Sequence, residues 1–191
     1  MATKVRTLKK PADVLQLHIE LRYLKPKIWR RVLVPDTITL AQLHGVIQVL
    51  FEWGGGHLHE FTAGGERYGS SDLDFDMPGE VRSERTRLTK ALTPSGTIDY
   101  VYDFGDNWEH RIKLEKVLPP SDQKLPVCVG GANAAPPDDC GGPPGYVDLL
   151  EALADPNHPE HEEMTQWLDR DWDPKAFDID NVNSWLAELR L

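Results

Sequence analysis

From Leu15 to Tyr23 apolar and polar side chains alternate: Leu15, Leu17, Ile19, Leu21 and Tyr23 against Gln16, His18, Glu20 and Arg22. A period of two predicts a strand with one buried face. A second strand is predicted over residues 28–34, closed by Pro35, and the short Lys25-Pro26 connection makes the pair a hairpin. The pattern then changes to a helical one over 39–53. Leu40, Leu43, Ile47, Leu50 and Phe51 share one stripe, Thr39 and Gln42 have capping-box spacing, and three glycines follow at 54–56. A short strand over 57–63, a Gly64-Gly65 turn and a return strand over 66–68 come next. Residues 70–96 lack a period apart from a helical turn near 88–92. Strands over 97–103 and 108–117 flank Phe104-Gly105-Asp106-Asn107, a second hairpin.

Residues 119–144 hold seven of the 15 prolines and both cysteines, and show no clear period. A long ordered loop or a linker is expected there. Three acidic helices are predicted after it, over 145–154, 158–168 and 180–191, with Asn157 and Asp180 as caps. The whole predicts an α+β fold. Its mostly antiparallel sheet is built from the hairpins 14–34 and 97–117 and the strand 57–63. The helix 39–53 packs on one face and the C-terminal helices lie at the edge. Residues 1–13 form a basic arm and 14–191 a single domain that includes the loop 119–144.

A chain of 191 residues suits one such domain, and 40% hydrophobic residues supply a core. No apolar run is long enough for a membrane span, and the N-terminal residues have no apolar stretch of a secretory leader. Two cysteines make no disulfide framework, so a cytoplasmic setting is expected. The formal net charge of −10 is unevenly spread: residues 1–34 carry +7 and residues 132–191 carry −11. An acidic chain argues against nucleic acid as a partner, except through the basic arm.

The candidate chemistry lies in four places. On a strand, His57 and His59 would share a face, where two imidazoles can hold one metal with a third ligand. His110 shares its face with Trp108, Ile112 and Leu114, with Asp103 and Asp106 across the turn. It is either a hydrogen-bonded core histidine or part of a site. Cys128 and Cys140 lack the spacing of a zinc finger, yet a folded loop could bring them to the histidines. Otherwise they are small buried hydrophobes. His158 and His161 open an acidic helix and read as solvated. No phosphate loop, dinucleotide motif, nucleophile elbow or zincin motif is present. No catalytic residue is assigned. Two sets follow: a pocket of His59, Asp103, Asp106, Trp108 and His110 for a small ligand or protein partner, and a divalent-metal set of His57, His59, His110, Cys128 and Cys140. The first suits a non-enzymatic binding protein, the second a metal-dependent, hydrolase-like enzyme, and the basic arm leaves a third reading, a weak DNA-contacting accessory protein.

Several strings together resemble one family. They are Leu15-Gln16-Leu17-His18-Ile19-Glu20-Leu21 followed by Pro26-Lys27-Ile28-Trp29-Arg30-Arg31, then His57-Leu58-His59-Glu60-Phe61, and Tyr102 to His110. Pro136-Pro137-Asp138-Asp139-Cys140-Gly141-Gly142-Pro143-Pro144-Gly145-Tyr146 and Phe177-Asp178 complete the set. Over roughly residues 14–183 the chain resembles the plasmid-Ri ORF-three-like (pRiA-type) family, some members of which are labelled TnpR of insertion sequences. The resemblance implies a compact α+β fold and an association with mobile genetic elements, and no particular reaction. The resolvase that the TnpR label suggests would need a nucleophilic Ser among arginines and a DNA-binding tail, whereas this chain closes on an acidic helix. Ala135 stands where the family pattern carries a Cys, which leaves one thiolate fewer for a metal.

Overall fold

A computed structural model describes residues 12–69, 81–168 and 172–191; most of the basic arm expected over 1–13 lies outside the described residues. In chain order the elements are β1 (Val14–Leu21), β2 (Ile28–Pro35), α1 (Leu40–Leu50), β3 (His59–Ala63), β4 (Glu66–Gly69), β5 (Val81–Ser83) and α2 (Leu88–Ala91). They continue with β6 (Thr97–Tyr102), β7 (Trp108–Leu118), β8 (Val127–Ala132), α3 (Gly142–Ala154), α4 (His161–Trp167) and α5 (Ile179–Leu186). The eight strands form one sheet in the order β5-β4-β3-β6-β7-β1-β2-β8. Every pairing is antiparallel except β4 with β5. The expected α+β architecture is present.

Alternation explains the layering. Leu15, Leu17, Ile19 and Leu21 of β1 are buried on the side of α1, whose Leu40, Leu43, Ile47 and Leu50 are buried against them. Gln16 and His18 turn to the other face with Trp29, Arg31 and Glu115. There Arg31 pairs with Glu115 at 2.7 Å, and the rings of His18 and Trp29 stack at 5.2 Å. The capping box forms as its spacing predicts: Gln42 N donates to Thr39 Oγ1 at 3.2 Å and Thr39 N to Gln42 Oε1 at 3.0 Å.

Five elements differ from expectation. The stretch 119–144 contains an edge strand, β8, which pairs with β2 and has only Cys128 buried. His57 precedes β3, so strand alternation does not govern its direction. α3 starts at Gly142 rather than 145, with Pro143 and Pro144 in its first turn, where a missing N–H costs nothing. The α5 cap is Asp178, which accepts from the amides of Asp180 and Asn181, while α4 starts after Glu160 without a side-chain cap.

Arg30 is fully buried, and among the described residues no carboxylate forms an ion pair with it. Its Nε donates to Leu50 O at 2.9 Å and its Nη1 to Trp29 O and Ala132 O, while the Phe177 ring covers the guanidinium at 3.9 Å. Burial pulls its pKa down to about 10. One side chain thus ties the end of α1 to β2, β8 and the segment before α5.

β8 ends the sheet, and Asn183 of α5 covers it: Cys128 N donates to Asn183 Oδ1 at 2.7 Å and Asn183 Nδ2 to Cys128 O at 2.9 Å. The side chain imitates a next strand, which blunts the edge. Asn183→Ala is expected to lower unfolding stability by about 1–2 kcal/mol in urea titrations. It should also produce concentration-dependent self-association in light scattering. An unchanged urea midpoint would show that the clamp contributes nothing.

Candidate functional site

At one end of the sheet three connections converge: residues 51–58 after α1, the β6–β7 turn at 103–107, and residues 133–141 before α3. Non-glycine residues in left-handed backbone gather here: Glu52 (φ 59°), Asp103 (55°), Asn107 (56°) and Asp139 (60°). Such conformations are disfavoured and cluster where a fold holds groups for a task. Asp103 is held by an Asx turn, with Gly105 N donating to its Oδ1 at 2.9 Å. Its other oxygen faces His57 Nδ1 at 3.7 Å, and Asp139 Oδ1 lies 3.3 Å from His57 Nε2. The imidazole therefore stands between two carboxylates.

Neighbouring residues fix this arrangement. Trp53 Nε1 donates to Pro136 O at 2.9 Å, and Gly54 N donates to Asp138 Oδ2 at 3.0 Å. Asp106 Oδ2 accepts from Gly141 N at 3.1 Å, and Gly142 lies so close to the Asp106 carbonyl that a Cβ would overlap it. Tyr102 is fully buried beside His57, edge to face at 5.7 Å. The amides of His57 and Gly55 face its hydroxyl without closing a hydrogen bond. Burial raises the Tyr102 pKa and, against the Gly54 amide, that of Asp138. Tyr102 is a neutral phenol at neutral pH.

One donor atom each from His57, Asp103 and Asp139 lie within 4.8 Å of one another. Donors at opposite sides of a bound Ca²⁺ are about 4.6–5.2 Å apart, and around Mn²⁺- or Zn²⁺-sized ions about 4 Å. A nitrogen with two carboxylates suits Mn²⁺, Zn²⁺ or Fe²⁺ more than a soft thiolate-loving ion.

The residues expected from sequence are distributed as follows. His57 and Asp103 come together. Asp106 is occupied in holding the Gly141 turn. His59 lies elsewhere, its Nε2 3.0 Å from Glu84 and its ring stacked on His44 at 3.6 Å, with His44 Nδ1 2.8 Å from the Tyr100 hydroxyl. Trp108 and His110 are fully buried in the core. His110 Nδ1 meets Trp108 O at 3.0 Å, and burial drives its pKa to about 3. Cys128 is buried beneath the β8 edge, and burial pushes the Cys140 thiol up to about 12. The set of His57, His59, His110, Cys128 and Cys140 is therefore not gathered at one point. Of these five, only His57 belongs to the three-donor group found among the described residues. The physical reasons are the short β3, which frees His57, and the inward face of β7, which buries His110. Asp138 and Asp139 were not singled out as donors. The signal available was two carboxylates between a rigid Pro136-Pro137 and a Gly141-Gly142 turn.

Fold and site together define an α+β protein with one mostly antiparallel sheet and a histidine–carboxylate cluster on its end loops. The chain belongs to the plasmid pRiA4b ORF-3-like protein family, whose model matches residues 13–181. It is similar to uncharacterized protein y4hQ of Sinorhizobium fredii, 36% identical over 181 residues and covering 93% of each chain. It is also similar to the crystal structure of the protein of unknown function MM3350 from Methanosarcina mazei Go1. That match has a TM-score of 0.82 and 36% identity over 91% of this chain and 98% of the other.

Proposed function

We propose that the protein binds a divalent cation through His57, Asp103 and Asp139. The carrying observation is the approach of three donor atoms within 4.8 Å. Support comes from the left-handed residues that present Asp103 and Asp139, because a pre-formed site loses less conformational entropy on binding. Asp138 adds negative charge nearby.

Mn²⁺, Zn²⁺ or Ca²⁺ at about 100 times its dissociation constant is expected to stabilise the fold by about 2.7 kcal/mol. For a chain of this size the melting temperature rises by roughly 5–10 °C. His57→Asn combined with Asp139→Asn should abolish the rise while leaving the metal-free melt nearly unchanged, since both side chains are partly exposed. A rise that survives the double substitution, or no rise with any of the three ions, would overturn the reading.

A second reading, metal-assisted hydrolysis, is favoured by Tyr102. Among the described residues its neutral hydroxyl has no acceptor beside the cluster, and it can donate to a substrate oxygen only once the residues covering it move aside. On this reading Tyr102→Phe leaves cation binding intact and removes turnover.

A further inference from the structure

Beside the cation cluster, and sharing Asp139 with it, a cavity of about 250 Å3 opens between α3 and α4. It carries two kinds of wall. One is acidic: Asp139, Asp148 of α3 and Glu160 before α4. The other is apolar: Leu149, Met164 and Trp167, with Trp167 45% exposed. Among the described residues no Lys or Arg lines it, and neither Asp148 nor Glu160 has an ion-pair partner. The Cys140 thiol at its base stays protonated, because burial holds its pKa near 12.

These walls select a class of ligand. An anion would meet three carboxylates. A neutral apolar molecule would leave them unused, and a hydrated metal ion gains nothing from leucine, methionine and indole. A cation with a short apolar stem uses both, with its charge among the carboxylates and over the exposed indole face. The volume lies below the usual range for drug-sized ligands, about 300–1,000 Å3, and suits a ligand the size of one side chain.

We propose that this cavity binds a short-chain ammonium or guanidinium group, either a free small amine or the Lys or Arg side chain of a peptide. The site goes beyond cation binding, because Asp148, Glu160 and Trp167 take no part in the His57 cluster.

The test is isothermal titration of the full chain with n-butylguanidinium and n-butylammonium, against 1-pentanol and pentanoate as neutral and anionic partners of similar length. Saturable binding of the two cations is expected, at least about tenfold tighter than pentanol or pentanoate. Asp148→Asn combined with Glu160→Gln should weaken it about tenfold, and Trp167→Leu severalfold. Both acidic positions are exposed, so the fold is retained, which far-UV circular dichroism checks. His57→Asn should leave amine binding intact, which separates failure of this site from failure of the cation site. A short blocked peptide, acetyl-Gly-Arg-Gly-amide, distinguishes the sources: tighter binding than n-butylguanidinium assigns a peptide side chain, weaker binding a free amine. Pentanol binding as tightly as the cations, absence of saturable binding, or indifference to the acidic substitutions would overturn the proposal.

Discussion

Between pH 6.5 and pH 4 the folded chain is expected to lose about 7 kcal/mol of its stability. Burial drives His44 and His110 to about 3, against 6.5 for a free imidazole. Their folded pKa values lie below the unfolded ones, so the unfolded chain binds more protons in that window. Stability is complete above pH 6.5 and falls as the pH drops toward 3. Each group contributes about 1.4 kcal/mol per pH unit, hence about 4 kcal/mol for both by pH 5 and about 7 by pH 4. A domain with about 5–7 kcal/mol in total would then unfold near pH 4–5, whereas one near 15 kcal/mol would keep about half of its stability at pH 4. His18 and His59 are shifted the same way by burial. The measurement is urea unfolding at pH 7.5, 6.0 and 5.0, with the midpoint falling at nearly constant slope. His44→Gln should remove about half of the fall. A midpoint that stays level from pH 7.5 to 5.0 would mean that the core histidines do not resist protonation.

Gly142→Ala is expected to cost about 3 kcal/mol or more. Its φ of 70° already disfavours a side chain, and the new Cβ would overlap the backbone carbonyl of Asp106, which cannot rotate away. The clash lies between the β6–β7 turn and the start of α3. Relief must separate the two segments that carry Asp103 and Asp139. The variant should therefore melt at lower temperature and also lose its stabilisation by divalent cations. Gly45→Ala is the matched control. Nothing lies within 4 Å of the added methyl inside α1, and a gain of about 0.5–1 kcal/mol is expected from helix propensity. Equal melting temperatures for the two variants would contradict the close approach at Gly142.

Where burial follows a local period, the fold was legible in the sequence. The alternation of Leu15 to Leu21 marks β1, the stripe from Leu40 to Leu50 marks α1, and the Phe104 to Asn107 turn marks the β6–β7 hairpin. β8 left no such trace. Gly130 and Gly131 have no side chains to alternate, and its edge is completed by Asn183, 55 residues away from Cys128. Gly131 is small for a tertiary reason: a Cβ there would run into the Phe177 ring over Arg30. The site was legible only in part. Asp103 stands out in its turn and His57 in its glycine-flanked string. Asp139 reaches them only because the path of residues 133–141 folds back, and that path is set by Trp53, Gly54 and Asp106 from other segments. No periodicity encodes it.

The interior position of β1 in the sheet, between β7 and β2, shapes how the chain can be made. Val14 pairs with Pro35 on one side and with Leu118 on the other. During synthesis the β1–β2 hairpin emerges first and has both outer edges free until β7 and β8 leave the ribosome. At about 5–20 residues per second that delay is roughly 5–20 seconds, far longer than a hairpin takes to form. α1 follows β2 within 15 residues and covers the leucine-rich face of β1 early, but both edges remain open templates for any other nascent strand throughout the delay. The hairpin formed earliest is thus the one completed last, and the pace of translation sets how long it stands exposed.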